Sequence, residues 1–305
     1  PSAEARERGE GRRPWSRAIV RNHAPCPGFL DEGGPISYYP IRRRFMKDES
    51  RLLKKVREAL EKMGLFALFL GEVAKWTFRK PFRARLVTEQ LETIGVMSVP
   101  IILLSSLSIG MIFSLQLGNF LSMFRAEILT GAAVAKTMSR ELAPVVTTLM
   151  LIAKNGSAMT AELGTMRSTE QLDAMETMSV NPIQYLVVPR VIASVIVFPV
   201  LTGIANIVGV LGSYFITVMV RGVDAAGFLD QLYSYTRPRD ISSGLIKAAV
   251  MGLLVSLICS FYGYHARGGS RGVGDAATRA VVTSSVGILI ADYIMADIMI
   301  KVLFR

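Results

Sequence analysis

The sequence has few residues of the types that build most catalytic centres. Its 305 residues include two cysteines and two histidines, and the cysteines lie far apart, Cys26 in a polar leader and Cys259 in an apolar run. This usage excludes a disulfide framework and a cysteine-rich metal cluster. The patterns GxxxxGK[ST] and HExxH are also missing from the sequence. We therefore predict that the chain has no catalytic residues, binds no metal or cofactor by itself, and is not an enzyme.

Two long stretches lack charged residues altogether. They are residues 94–118 and 191–220, and each exceeds the roughly 20 residues that cross a hydrocarbon core about 30 Å thick. Shorter uncharged runs follow Glu141, Lys247 and Arg279, and each reaches spanning length if its helix admits one ionisable residue. The sequence therefore predicts an all-α integral membrane protein with five transmembrane helices, at residues 94–118, 137–161, 187–220, 242–264 and 280–303.

The formal net charge of +11 is unevenly distributed, because many basic residues lie at 42–57, before the first span. Cytoplasmic segments that flank membrane spans are enriched in Lys and Arg, so the N-terminus is predicted to be cytoplasmic. Five spans then place segments 162–182 and 267–279 in the cytoplasm, and segment 221–240 and the C-terminus outside. Basic residues next to membrane spans also argue against nucleic acid as a partner.

The region before the first span divides into two parts. Residues 1–45 are rich in Arg, Pro, Gly and Glu and are predicted to be a disordered basic leader. Met46 followed by KDES resembles a natural start, which favours translated upstream sequence over a functional basic tail. Residues 46–93 are predicted to form an interfacial amphipathic helix. Its apolar face is expected to carry Leu52, Leu53, Val56, Leu60, Met63 and Leu65.

Small residues recur at helical spacing in the first and third spans. Helix backbones approach closely in lipid where side chains are small, so these positions are predicted to be packing faces within the subunit or between subunits. They are Gly110, Ser114 and Gly118 in the first span, and Gly203, Gly209, Gly212 and Ser213 in the third.

Several ionisable residues fall inside the predicted spans. A charge at the bilayer centre costs at least about 2.5–3.5 kcal/mol, so such residues normally face a bundle interior or a wet cavity. Estimates of depth place Glu141, Lys247 and Asp292 in the outer half of one cavity, and Arg140 precedes Glu141. We predict these four as substrate-binding residues for a ligand with a charged head and apolar tails. The alternative is that Arg140 and Glu141 sit at a helix start capped by Ser139.

A polar island, ELGTMRSTEQLDAMETMSVNP, lies at residues 162–182 between two spans. Ser168 followed by Gln171 predicts a capping box, and the next residues favour a helix that ends at Asn181 and Pro182. Leu172, Met175 and Met178 form an apolar stripe beside a row of acids. A helix that packs on one face and offers the other is suited to receive force from a motor, whereas the alternative is an ordinary solvated loop helix.

This island, with RELAPVVTTLMLIAKNGSAMTAELGTM, GLIKAAVMGLL and GYHARGGSRGVGDAATRAVV, resembles the MlaE (YrbE) permease family. These are membrane subunits of ABC transporters that work with MCE-domain proteins in lipid traffic. The resemblance covers residues 47–304. It implies a permease domain at 94–305 with a cytoplasmic coupling helix near 165–178. The ATPase contact is accordingly placed on Glu162, Arg167, Glu170, Gln171 and Asp173.

The resemblance also implies the partners. They are a second copy of the chain, two copies of a cytoplasmic ABC ATPase that binds ATP and Mg²⁺, a periplasmic MCE-domain protein, and phospholipid in a bacterial inner membrane. The function expected is movement of phospholipid or a related lipid between that membrane and the MCE protein. The alternatives are a proton-coupled secondary transporter, in which Glu141 or Asp292 titrates, and a scaffold that only anchors an MCE protein.

Overall fold

The computed structural model describes residues 51–77, 79 and 84–303, and the predicted leader at 1–45 lies outside them. The regular structure in these residues is helical, as the sequence predicted. The α-helices are α1 (Arg51–Thr77), α2 (Ala84–Ile94), α3 (Val99–Ser122), α4 (Thr130–Thr137), α5 (Ala143–Leu151), α6 (Ser157–Ser168), α7 (Gln171–Thr177), α8 (Val188–Tyr214), α9 (Ala225–Tyr235), α10 (Pro238–Tyr264) and α11 (Gly269–Leu303).

Five stretches of the described residues are long and apolar enough to cross a membrane. They are Ala84–Ser122, Glu127–Ser168, Ile183–Val220, Pro238–Tyr264 and Gly269–Lys301. The chain is therefore an all-α membrane protein, and the predicted spans all fall on these helices. Most of the helices extend further than predicted, because polar and charged residues continue a helix beyond the apolar run that marks its membrane-crossing part.

The second of these stretches is built from α4, α5 and α6. Between them the helix widens into π-helical turns at Met138–Leu142 and Ile152–Gly156. The helix thus begins about ten residues before the predicted start at 137. Ser139 consequently lies inside a continuous helix and makes no cap, so the alternative in which Arg140 and Glu141 mark a helix start is wrong.

The small-residue faces of the first and third spans pack against each other within the subunit. A Cβ placed on Gly110 would overlap the carbonyl oxygen of Gly209, so the two backbones are in contact. One helical turn along, the Ser114 hydroxyl lies 2.8 Å from the Thr217 hydroxyl. Direct backbone contact increases dispersion attraction where the hydrophobic effect is small. Of the two possibilities left by the sequence, the structure supports packing inside one subunit for α3 and α8.

The core of the bundle lies where α8, α10 and the second span meet. Its fully buried side chains include Leu151, Ile152, Phe198 and Met251. By contrast, α3 and α11 leave many large apolar side chains exposed, among them Leu104, Ile112 and Ile290. In a membrane protein such faces meet lipid or another protein rather than water.

Two connections differ from the sequence-based prediction. Helix α11 begins at Gly269, so most of the predicted loop at 267–279 is helical and residues 265–268 alone form the turn. Segment 221–240 contains α9, which begins after an N-cap in which Asp224 Oδ2 accepts a hydrogen bond from Gly227 N at 2.8 Å. The Phe228 ring on α9 is 1% exposed. The sequence analysis does not predict this short amphipathic helix, because the Gly and Asp residues around it also favour turns.

Helix α10 approaches the first π-helical turn so closely that one position on it requires glycine. A Cβ on Gly244 would overlap the carbonyl oxygen of Ser139. We predict that Gly244→Ala destabilises the protein by about 1–3 kcal/mol, because a backbone atom cannot move aside without shifting a helix. Thermal unfolding of the detergent-purified protein measures this.

The matched control is Gly274→Ala on α11, where a Cβ meets nothing within 4 Å. The same substitution there should raise stability by up to about 1 kcal/mol through helix propensity. A Gly244→Ala variant as stable as the control would contradict the proposed close contact.

Candidate functional site

The residues that the sequence singled out inside the spans meet at one level of the bundle. Glu141 lies about 21 Å along the second span from Glu127, Lys247 about 14 Å from the start of α10, and Asp292 about 17 Å from the end of α11. Successive spans alternate in direction, so the second and fourth spans run parallel and the fifth runs opposite to them. The starts of the second and fourth spans and the end of the fifth therefore lie on the same side of the bundle. Direct contacts therefore confirm that the three residues lie at one level, whereas their place in the outer half of a cavity stays a prediction.

Lys247 is the centre of this group. Its Nζ donates a hydrogen bond to Glu141 Oε2 at 2.5 Å, and Asp292 Oδ1 lies 3.1 Å from the same nitrogen. The second contact is an ion pair only, because its geometry does not satisfy a hydrogen bond. The Lys247 side chain is 2% exposed and that of Asp292 18%, whereas that of Glu141 is 43% exposed. Two carboxylates thus hold one buried ammonium and join three helices.

Arg140 makes a separate pair with a residue that sequence reasoning missed. Arg140 Nη2 lies 2.5 Å from Asp240 Oδ1, and the Asp240 side chain is 1% exposed. Asp240 also accepts a hydrogen bond from the Arg237 backbone N at 3.0 Å, which caps α10. The sequence analysis had placed Asp240 in an external loop. Asp240 lies seven residues before Lys247, and positions seven apart share one face of a helix. This spacing could have identified Asp240 from the sequence.

The first π-helical turn explains how neighbours in sequence reach two partners on one helix. Arg140 and Glu141 both lie in Met138–Leu142, and both bind side chains of α10. A π-helical turn inserts an extra residue and changes the direction of the side chains around it, and such turns are frequent at functional sites. The close approach at Gly244 lies between Asp240 and Lys247 on α10. We call Arg140, Glu141, Asp240, Lys247 and Asp292 the ion cluster.

The second π-helical turn fixes another part of the bundle. Lys154 donates to the carbonyl oxygen of Met97, and Asn155 Nδ2 donates to the Ile94 carbonyl at 3.0 Å. Both side chains also reach the Ser98 hydroxyl, at 3.2 and 2.9 Å. These bonds satisfy backbone groups at the break between α2 and α3. Lys154 therefore ties two spans together, and its contacts explain its presence inside a span.

The predicted coupling region, residues 162–178, is a helical corner rather than one helix. Helix α6 runs through Ser168, whose hydroxyl bonds to the Thr165 carbonyl at 3.0 Å. Glu170 adopts a left-handed conformation with φ of 59°, and α7 begins at the next residue. The predicted capping box between Ser168 and Gln171 is therefore wrong, because Ser168 belongs to the end of the preceding helix and cannot also begin a new one.

Ion pairs hold the corner in place. Arg167 Nη1 lies 2.6 Å from Asp173 Oδ1 and links α6 to α7. Glu162 Oε2 lies 2.8 Å from Nη2 of Arg190, an α8 residue whose side chain is 4% exposed. Leu172 is fully buried beneath α7, whereas Glu170 and Gln171 are exposed. Of the predicted ATPase contacts, four are exposed and Arg167 is half-buried, the exposed ones being Glu162, Glu170, Gln171 and Asp173. Glu162, Arg167 and Asp173 also take part in internal ion pairs.

A cavity of about 320 Å³ lies beside this corner. Arg167, Glu170 and Asp173 line one side, and residues 266–269 of the turn between α10 and α11 line the other. Both sides carry exposed charged side chains. The cavity is therefore a concave polar surface next to the corner.

The comparison with protein families is decisive. The model of the family described as Permease MlaE matches residues 87–298. The chain belongs to the MlaE permease family. A probable ABC transporter permease protein of Rickettsia felis is 38% identical over 249 residues, which is 82% of this chain and 96% of that protein.

Two further relatives of this permease carry more specific names. The intermembrane phospholipid transport system permease protein MlaE of Haemophilus influenzae is 39% identical over 253 residues, covering 82% of this chain and 96% of its own. The protein Trigalactosyldiacylglycerol 1, chloroplastic, of Arabidopsis thaliana is 36% identical over 230 residues, covering 75% and 66% respectively. The resemblance expected from the sequence is confirmed, and the chain is an ABC transporter permease of this family.

We predict that Lys247→Met lowers the free energy of unfolding by about 3–5 kcal/mol. Removing the ammonium leaves the carboxylates of Glu141 and Asp292 close together without a cation. The added substitution Asp292→Asn should restore part of the loss, because it removes one of the two like charges. Thermal unfolding of the two single variants and the double variant gives their coupling energy.

The control is Lys301→Met, which breaks an exposed pair with Asp297 in the last turn of α11. Exposed pairs contribute about 0–1 kcal/mol. Equal losses for Lys247→Met and Lys301→Met would show that the ion cluster does not stabilise the bundle.

Proposed function

We propose that this permease is the membrane subunit of an ATP-driven transporter that moves phospholipid or a related lipid between a bacterial inner membrane and a periplasmic MCE-domain protein. Two copies of the chain would assemble with two copies of a cytoplasmic ABC ATPase. That partner would bind ATP and Mg²⁺, so this chain would need no cofactor and catalyse no reaction. The relative in Haemophilus influenzae, named for intermembrane phospholipid transport, supports this choice of substrate.

One observation carries the mechanism: a single continuous helical stretch joins the ion cluster to the helical corner. The stretch Glu127–Ser168 contains Arg140 and Glu141 at one level and Arg167 near its end. The 26 residues from Glu141 to Arg167 correspond to about 39 Å. A rigid helix of this length transmits displacement at the corner to the ion cluster, whereas a flexible loop would absorb it.

The ion cluster is suited to respond to a phospholipid headgroup. Its cations are already paired with carboxylates, and Arg140 and Glu141 are its more exposed cation and carboxylate, at 27% and 43%. A lipid phosphate would compete with these carboxylates for the cations, and a choline or ethanolamine group would bind the carboxylate that is released. Substrate entry and helix position would therefore be coupled through exchange of ion-pair partners, with acyl chains along neighbouring apolar side chains.

The helical corner supports an ATPase contact at the other end. Its exposed acids stand over a buried Leu172, so a partner pressing on α7 would move α6 with it. A pair of corners is needed because ATP-driven motors close as pairs, and each chain supplies one corner. The exposed apolar sides of α3 and α11 offer surface for a second copy or for lipid.

A proton-coupled mechanism remained an alternative on sequence grounds. Membership in a family of ABC transporter permeases gives that alternative no support, and a scaffold role does not account for the buried charges of the ion cluster.

The first test is ATP hydrolysis by the complex purified through this subunit in lipid nanodiscs. We expect an ATPase to co-purify with the wild-type chain. The double variant Glu170→Lys, Asp173→Lys should lose the partner or reduce lipid-dependent hydrolysis by about tenfold or more, because it reverses the charge of the exposed corner.

A matched double variant, Glu127→Lys with Asp230→Lys, places the same charge change at the opposite end of the bundle. It should retain hydrolysis within about twofold of wild type. An ATPase that is absent from the wild-type preparation under mild extraction would refute the proposal. Equal effects of the two double variants would refute the placement of the contact.

The proposed orientation gives a second prediction. In a chain with Cys26 and Cys259 replaced by serine, Asp230→Cys should react in intact spheroplasts with a maleimide that cannot cross the membrane. Thr169→Cys at the corner should react only after permeabilisation, because it is predicted to face the cytoplasm. Reaction of Thr169→Cys in intact spheroplasts would show that the chain has the opposite orientation.

A further inference from the structure

A second cavity lies at the same end of the bundle as the helical corner. Its volume is about 360 Å³, and it opens between α1, the end of α10 and the first turns of α11. Helix α10 ends at Tyr264 and α11 begins at Gly269, so this is the level at which two membrane-crossing stretches leave the apolar layer. The cavity is remote from the ion cluster, which lies near the opposite ends of these helices.

The cavity is basic, and its cations have no carboxylate partner in the part of the chain that the structure describes. Lys62, Arg267 and Arg279 line it together with one acid, Asp275. Among the described residues, none of these four side chains takes part in an ion pair within 4 Å. This contrasts with the ion cluster, where every cation is paired. Three unpaired cations around one cavity create a positive potential that favours an anion.

His265, which also lines the cavity, adds no charge at neutral pH. Burial is the main cause that lowers its pKa below 6.5, and a hydrogen bond to the Phe261 carbonyl acts in the opposite direction. The nearby charges of Arg267 and Arg167 lower the pKa further. The carboxylate of Glu72 raises this pKa and is the smallest of these effects.

The remaining wall of the cavity is apolar. Leu65 of α1 and the rings of Phe261 and Tyr262 of α10 line it. Beyond Leu65, the surface of α1 continues one turn along with Leu68, which is 71% exposed. An inorganic anion would leave this surface in contact with water. A ligand with an anionic head and acyl chains would cover both the cations and the apolar surface.

We propose that this cavity binds the headgroup of an anionic phospholipid from the leaflet at this end of the bundle, with its acyl chains along α1. Basic pockets between membrane helices at a membrane boundary recognise lipid phosphates in this way. The site is separate from the ion cluster, so its lipid would be a bound regulator or structural component rather than cargo. It would also fix α1 against the turn between α10 and α11, beside the helical corner.

The test is native mass spectrometry of the full chain, purified in mild detergent with any accompanying subunits. Dioleoyl phosphatidylglycerol and dioleoyl phosphatidylcholine, which differ only in the headgroup, are the probes. We expect a preference for phosphatidylglycerol that falls about fivefold for each basic side chain removed, and therefore roughly 25-fold in Lys62→Gln, Arg279→Gln.

The matched control is Lys75→Gln, Arg271→Gln, which removes the same two charge types from the same two helices outside the cavity. It should keep the wild-type preference. A third variant, Asp275→Asn, should raise the preference for phosphatidylglycerol, because it removes the only carboxylate among the described cavity residues. A gain cannot result from misfolding, so this arm stays informative if the double variant is unstable.

Several outcomes would overturn the proposal. One is equal binding of the two lipids by the wild-type chain, and another is an equal loss in the cavity and control variants. Displacement of phosphatidylglycerol by millimolar inorganic phosphate alone would indicate a site for a free anion. Loss of a co-purifying protein from Lys62→Gln, Arg279→Gln with unchanged lipid preference would indicate a protein contact instead.

Discussion

Lys247 has an ammonium that is almost completely buried in a helix that crosses a membrane, and the arrangement of three spans depends on how that charge is neutralised. An unpaired charge at this depth is costly, so carboxylates must come from neighbouring helices. Glu141 reaches it from the second span and Asp292 from α11. Each helix is therefore held at a defined rotation and depth, and a shift of any one of them would break an ion pair. Arg140 and Asp240 repeat this constraint near the beginning of α10.

The same constraint applies to the second span, whose side chains bind two other parts of the bundle. Side chains of its two π-helical turns bind other helices. Those of the first turn bind α10, and those of the second bind the break between α2 and α3. Between and beyond these turns the helix is regular, and it continues without interruption into the helical corner. No loop therefore separates the ion cluster from the start of the corner along this helix.

The two ends of the bundle differ in how their charges are satisfied. Within the ion cluster, both cations are paired with carboxylates inside the protein. Beside the turn between α10 and α11, a cavity is lined by Lys62, Arg267 and Arg279, which have no carboxylate partner within residues 51–77, 79 and 84–303. Charges left unpaired at a membrane boundary are available to lipid headgroups or to other subunits, whereas paired charges in the apolar layer are not.

Local composition was enough to predict an all-α membrane protein, five spans, and Glu141, Lys247 and Asp292 at one level, while the resemblance of four motifs indicated the family. The spans and the common level of the three residues follow because bilayer thickness fixes the length of an apolar run and because a helix has a constant rise per residue. Three features came from the folded structure: Asp240 pairs with Arg140, π-helical turns set the direction of the Arg140 and Glu141 side chains, and Ser168 ends one helix rather than capping the next. The folded structure also placed α9 in segment 221–240 and extended α11 to Gly269. Those features depend on contacts between residues distant in sequence, such as the approach of Gly244 to Ser139, and no local pattern encodes the distance between two helices.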